Sequence, residues 1–183
     1  YGFTQKEIIK LKQDKNCIYW QTFPQGDNFE LVKSYLRIDF DYENMLSIIM
    51  KDEHINNAIK AYPNLRILKQ DFDQTLLSFI MSSVKNIASI RKSIRLLNQK
   101  FGKVINVDGI KFYLFPSTET LSEVSLNKLL ETRIGFRAKH LKTSAKKLIE
   151  FSASNNLKEL SSDAVHKTLK SFPGVGDKVA DCV

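Results

Sequence analysis

Two textures run along this chain, strand-like before Lys69 and helical after Gln70. The apolar runs Asn16–Phe23 and Phe29–Ile38 flank Pro24, Gln25, Gly26 and Asp27, whose composition asks for a turn; together they predict an antiparallel hairpin. Short helices are expected over Tyr42–Lys51 and Glu53–Ala61, the second closed by Pro63. Beyond Gln70, Asp73 is placed to cap a helix running to Ser83 with Leu76, Leu77, Phe79 and Ile80 turned inward. Ile87–Phe101 follows, with Ile90, Ile94 and Leu97 on one face, and Asp108-Gly109 predicts a small hairpin between Val104-Ile105 and Ile110–Phe112. Helices recur over Leu126–Thr132 and Arg137–Phe151, the latter ending near Asn155 and Asn156. Ser162-Asp163 can cap a helix carrying Ala164, Val165, Leu169 and Phe172, after which Pro173-Gly174-Val175-Gly176 turns the chain into a new helix at Asp177. The expected architecture is α+β: a small antiparallel-sheet domain over residues 1–70, then a mostly helical domain over 71–183 ending in helix, hairpin, helix.

Composition narrows the class. With 183 residues, 43% hydrophobic and 26% charged, the chain can bury a core and is globular. Residues Tyr1 to Lys10 carry no basic-then-apolar leader and no apolar run reaches a membrane span, so an intracellular protein is expected, cytoplasmic in a prokaryote or nuclear in a eukaryote. No membrane partner is expected. Two distant cysteines, Cys17 and Cys182, and only three histidines suggest reduced thiols, with neither a disulfide framework nor a zinc site and no cofactor. The net charge of +8 is concentrated: between Ile80 and Glu150 there are 14 Lys or Arg against 5 Asp or Glu, and the remainder is close to neutral. A single surface facing a polyanion accounts for that distribution better than general solubilising charge.

Candidate chemistry gathers in the last twelve residues. Gly174 and Gly176 let the backbone adopt positive φ and approach a phosphate closely, and Lys178 follows at once. Pro-Gly-Val-Gly alone also fits a plain interhelical turn. A turn needs no lysine after it, however, and the helix dipole together with partial burial would favour a neutral amine there, able to form a Schiff base with a sugar aldehyde carbon.

Several ordered motifs then point the same way: Leu65-Arg66-Ile67-Leu68-Lys69-Gln70-Asp71 leading to Leu77-Ser78-Phe79-Ile80-Met81-Ser82-Ser83, Gly135-Phe136-Arg137-Ala138-Lys139, and the terminal hairpin with Lys178-Val179-Ala180-Asp181-Cys182. Over Leu65–Cys182 the chain resembles the helix-hairpin-helix DNA glycosylases, and within them the 8-oxoguanine DNA glycosylases. Trp20 and Tyr35-Leu36-Arg37-Ile38-Asp39, read as a strand, carry a looser match to the family's sheet-based N-terminal domain. The resemblance implies a monomeric base-flipping enzyme of base-excision repair whose partner is duplex DNA with a damaged base. Lys178 falls on the family's nucleophilic lysine, implying a bifunctional glycosylase and AP lyase. Pro173, Gly174, Val175 and Gly176 would grip the backbone, and the carbonyls of Lys170, Phe172 and Val175 could hold a monovalent cation bridging to phosphate. Arg137 falls on an arginine that contacts the orphan cytosine, and Phe136 on a tyrosine that wedges into the opposite strand. Cys182 sits where a cysteine packs against the flipped purine, or is a small core residue.

Departures from the family pattern are equally specific. The family's Asn-rich run, whose first asparagine fills the gap left by the flipped base, reads Val84-Lys85-Asn86, keeping only Asn86 as a DNA contact. Ser89 stands at the second orphan-base arginine, and Lys15 at the glycine whose carbonyl recognises oxidised guanine. The activating aspartate would lie beyond Val183, so a fragment of a longer enzyme is expected. The alternatives are a glycosylase of the same fold for an alkylated or deaminated purine, and a non-catalytic DNA-binding module.

Overall fold

The computed structural model describes residues 1–4, 6–24, 26–154, 157 and 160–183. They form two compact units, one over Ile9–Gln70 and one over Tyr1–Ile8 with Asp71–Val183. The architecture is α+β. No helix among the described residues is long and apolar enough to cross a membrane.

A three-stranded sheet runs in the order β1 (Gly2–Phe3), β2 (Ile8–Gln13), β3 (Ile18–Phe23), and the unit boundary falls just inside β2. In the 9–70 unit, β2 and β3 are joined by a turn that closes with Asp14 N–H donating to the Cys17 carbonyl at 3.0 Å. The predicted second strand over Phe29–Ile38 is instead helix α1 (Phe29–Tyr35). Leu31, Val32, Tyr35 and Leu36 recur at helical spacing, and the Asn28 side chain caps the helix by accepting from Leu31 N–H. Ile9, Val32 and Tyr35 are this unit's buried cluster, with Trp20, Leu11, Leu31 and Leu36 packed against it. Helices α2 (Tyr42–Ile49) and α3 (Glu53–Ala61) follow, capped by Asp41 and Asp52.

The larger unit is built, among the described residues, on nine further elements. Helix α4 (Phe72–Ser82) starts from Asp71 rather than Asp73, whose carboxylate instead accepts from Thr118 Oγ1 at 2.8 Å. Helix α5 (Ile87–Phe101) precedes an antiparallel pair, β4 (Val104–Val107) and β5 (Ile110–Tyr113), and Tyr1 and Phe3 pack on Phe112 of β5 at ring distances of 4.9 and 5.9 Å. That contact places the first residues with the helical unit. Helices α6 (Thr118–Glu123), α7 (Leu126–Leu130) and α8 (Arg137–Ser154) lead to α9 (Ser162–Lys170) and α10 (Asp177–Cys182). Helix α6 was unforeseen, and the expected end of α8 near 155–156 lies outside the described residues. Ala138, Leu141, Ala145 and Leu148 form the apolar stripe of α8, against which Leu76, Leu77, Ile80, Met81, Leu121, Leu129 and Leu169 are buried. Phe79, expected inside, is half-buried.

Candidate nucleic-acid interface

Helix α9, capped by Ser161, carries Leu169 into the core, and the chain then reverses through Ser171–Gly176. Phe172 N–H donates to the Leu169 carbonyl at 3.0 Å, Val175 N–H to the Phe172 carbonyl at 3.1 Å, and Ala180 N–H to the Gly176 carbonyl at 2.9 Å. Phe172 and Val175 are buried, as is Ala180 of α10, while Gly174, Gly176, Asp177 and Lys178 are exposed. The apolar side of the turn is thus fixed by hydrophobic burial, and its backbone is offered outward. Helix α8 adds two ties: Ser144 Oγ donates to the Pro173 carbonyl at 3.1 Å, and Lys147 Nζ to the Ser171 carbonyl at 2.7 Å.

Lys178 lies on the first turn of α10 and is exposed, where partial burial was expected. The reason is rotational: Ala180 takes the core-facing side of this short helix. Neighbouring carboxylates are engaged with α9. Asp177 pairs with Lys170, and Asp181 lies 3.1 Å from His166 Nε2. The Lys170 hydrogen bond, then its charge, holds the Asp177 carboxyl below the ordinary aspartate value. A depressed folded-state value means the tie contributes above the ordinary carboxylate range and is lost as pH falls through that lowered value. Lys170→Ala should therefore raise the titration midpoint of the Asp177 carboxyl, read by its carbon chemical shift; an unmoved midpoint would refute the pairing. Cys182 is exposed.

Gly174 has φ +86, and a Cβ there would lie 3.0 Å from His140 Nδ1 and 3.2 Å from its Cβ. Gly174→Ala should lower Tm by about 2–8 °C, from ~1–2 kcal/mol of left-handed strain plus the displaced imidazole. Differential scanning calorimetry checks this, and an unchanged Tm would contradict it. His140 extends the site: its ring meets Phe136 edge-on at 6.2 Å, Phe136 is 65% exposed, and the Arg137 guanidinium lies 4.3 Å from the Phe136 ring centroid. Arg137 itself is only 6% exposed, donating to the carbonyls of Ile134 and Ser83. Contacts therefore run from the Gly174 turn through His140, Phe136 and Arg137 to the segment linking α4 and α5. There Lys85 Nζ donates to Ser93 Oγ at 2.7 Å and to the Arg133 carbonyl at 2.8 Å; burial, then the charge of Arg137, push its ammonium below the ordinary lysine value. Asn86 is the cap of α5, its Oδ1 accepting from Ser89 N–H at 2.8 Å.

Lys15 belongs to the 9–70 unit, on the exposed β2–β3 turn, where Asp14 Oδ1 accepts from the N–H groups of Asn16 and Cys17. His140 and Lys85 were not singled out from the sequence; for His140 the signal is its position four residues after Phe136, at the start of α8.

The family model described as "8-oxoguanine DNA glycosylase, N-terminal domain" matches residues 1–76. An N-glycosylase/DNA lyase of Saccharomyces cerevisiae is 31% identical, covering 96% of this chain and 52% of that protein. An Arabidopsis thaliana relative named N-glycosylase/DNA lyase OGG1 is 27% identical over 91% of this chain and 47% of its own. The Clostridium acetobutylicum 8-oxoguanine glycosylase/lyase, solved with DNA containing cytosine opposite the lesion, superposes with TM-score 0.83 at 28% identity, covering 99% of this chain and 63% of that one. The chain spans about half the length of these curated relatives.

Proposed function

The chain belongs to the helix-hairpin-helix DNA glycosylase superfamily, in its 8-oxoguanine branch, and from that premise we propose that the protein it comes from excises oxidised guanine from duplex DNA and cleaves the strand at the resulting abasic site. The observation that carries this reading is the placement of Lys178: an exposed amine two residues past the Gly174–Gly176 turn, which itself abuts His140 and through it the exposed Phe136.

In this reading the amides of Gly174 and Gly176 grip the backbone of a flipped nucleotide, and Pro173 and Val175 shape the turn that presents them. Lys178 Nζ, once deprotonated, attacks C1′; the C1′–N9 bond breaks and its electron pair leaves with the base, which takes up a proton. Opening of the sugar ring gives an imine at C1′, loss of a C2′ proton expels the 3′ phosphate, and water then frees the lysine. Asp177 and Asp181 are engaged with Lys170 and His166 and are not assigned as the activating carboxylate. The neutral carbonyls of Lys170, Phe172 and Val175 suit a monovalent cation, although the Phe172 oxygen already accepts one hydrogen bond. Phe136 stacks in the opposite strand. Arg137 supplies positive charge there, and reading a base requires it to exchange one of its carbonyl partners. Cys182 is assigned to the base pocket, and Asn86 keeps its amide N–H₂ for DNA.

Single-turnover assays on duplexes with 8-oxoguanine, an alkylated purine or a deaminated purine test the reading. Base release followed by strand cleavage on the oxidised guanine supports it. Salt-sensitive binding with no product on any lesion would leave the turn as a backbone clamp alone.

A further inference from the structure

Helix α10 presents three flanks. Val179, Ala180 and Val183 pack on the core, and with about 100° between successive residues Lys178 and Cys182 project from roughly the opposite side. Asp177 and Asp181, one turn apart, share the third flank. That flank is tied to α9: Asp177 pairs with Lys170, and Asp181 Oδ1 lies 3.1 Å from His166 Nε2, which is also 3.9 Å from Asp177 Oδ1. An open cleft lined by Ser162, Asp163, Val165 and Ala180 borders the His166–Asp181 contact, so little packing backs it. Lys178 has no hydrogen bond or ion pair of its own among the described residues, and its direction follows from the roll of α10.

Resting on the reading of Lys178 as the nucleophile, we propose that His166 is a positioning residue for it: through Asp181 it latches α10 against α9 and aims the amine at C1′ without touching the substrate. Burial of the two valines and the alanine holds α10 on the core, but hydrophobic attraction is non-directional and does not fix the roll. A directed contact between side chains on facing helices does. A roll of about 10° displaces a group ~6 Å from the helix axis by about 1 Å. Misplacement on that scale costs about 10²-fold in rate where the reacting atoms must be aligned.

The test is the rate of borohydride trapping of the full-length protein on a duplex with a preformed abasic site, at saturating protein, beside duplex affinity by anisotropy. His166→Ala and Asp181→Ala should each slow trapping by about 10-fold or more while affinity stays within about 2-fold, and the double variant should be no slower than either, because both changes remove one contact. His166→Gln, whose amide N–H₂ reaches Asp181 much as Nε2 does, should recover most of the rate. Losses that multiply in the double variant, no recovery with His166→Gln, or a fall in affinity matching the fall in rate would overturn the latch. Wild type separates this from the catalytic reading. Equal trapping by wild type and His166→Ala sinks the latch alone, whereas no adduct with wild type sinks the nucleophile and the latch with it.

Discussion

Lys178→Gln should lower base release and strand cleavage on an 8-oxoguanine duplex by about 10³-fold or more, while duplex affinity changes only a few-fold. Glutamine keeps the length of the side chain and removes the nucleophile. The turn amides, Phe136 and Arg137 are untouched by the change, and Lys178, exposed on the surface of α10, contributes little to packing. Single-turnover kinetics beside gel-shift titration separates the two effects. A parallel loss of binding and rate would recast Lys178 as a phosphate contact.

The largest effect on stability should come from Phe172→Ala. The ring is 2% exposed, meets Phe151 edge-on at 5.8 Å and lies 5.0 Å from Lys147 Nζ. Emptying a buried phenyl costs about 3–5 kcal/mol, which for a chain of this size lowers Tm by roughly 6–20 °C. The cavity would open directly beneath the turn, so duplex affinity should fall with stability. A melting curve near that of wild type would mean the turn is anchored elsewhere, through Ser144 and Lys147.

How far the sequence reaches depends on whether local chemistry or tertiary context decides. The β4–β5 hairpin was legible because Asp108 and Gly109 both take positive φ, at 51° and 81°, as a two-residue turn demands and as Asp-Gly announces. Helix α5 was legible from its apolar face, whereas its Asn86 cap was read only as a DNA contact. Phe29–Ile38 was misread because an amphipathic helix of two turns, rich in aromatic and branched residues, has the composition of a strand; the spacing of Leu31, Val32, Tyr35 and Leu36 settles it. At the interface, the turn and the start of α10 follow from glycine placement. The burial of Arg137 and the tether on Lys85 arise from contacts between segments distant in sequence, such as Ser83 with Arg137 and Lys85 with Arg133, which no local pattern encodes.

The central claim is that the Lys178 amine forms a covalent bond to deoxyribose. Borohydride reduction of the full-length protein on a duplex with 8-oxoguanine opposite cytosine, followed by peptide mass spectrometry, tests it most directly. A trapped adduct on the Lys178 peptide, absent from Lys178→Gln, is the predicted result. An adduct mapped to another amine, or none on this lesion or on a preformed abasic site, would contradict it.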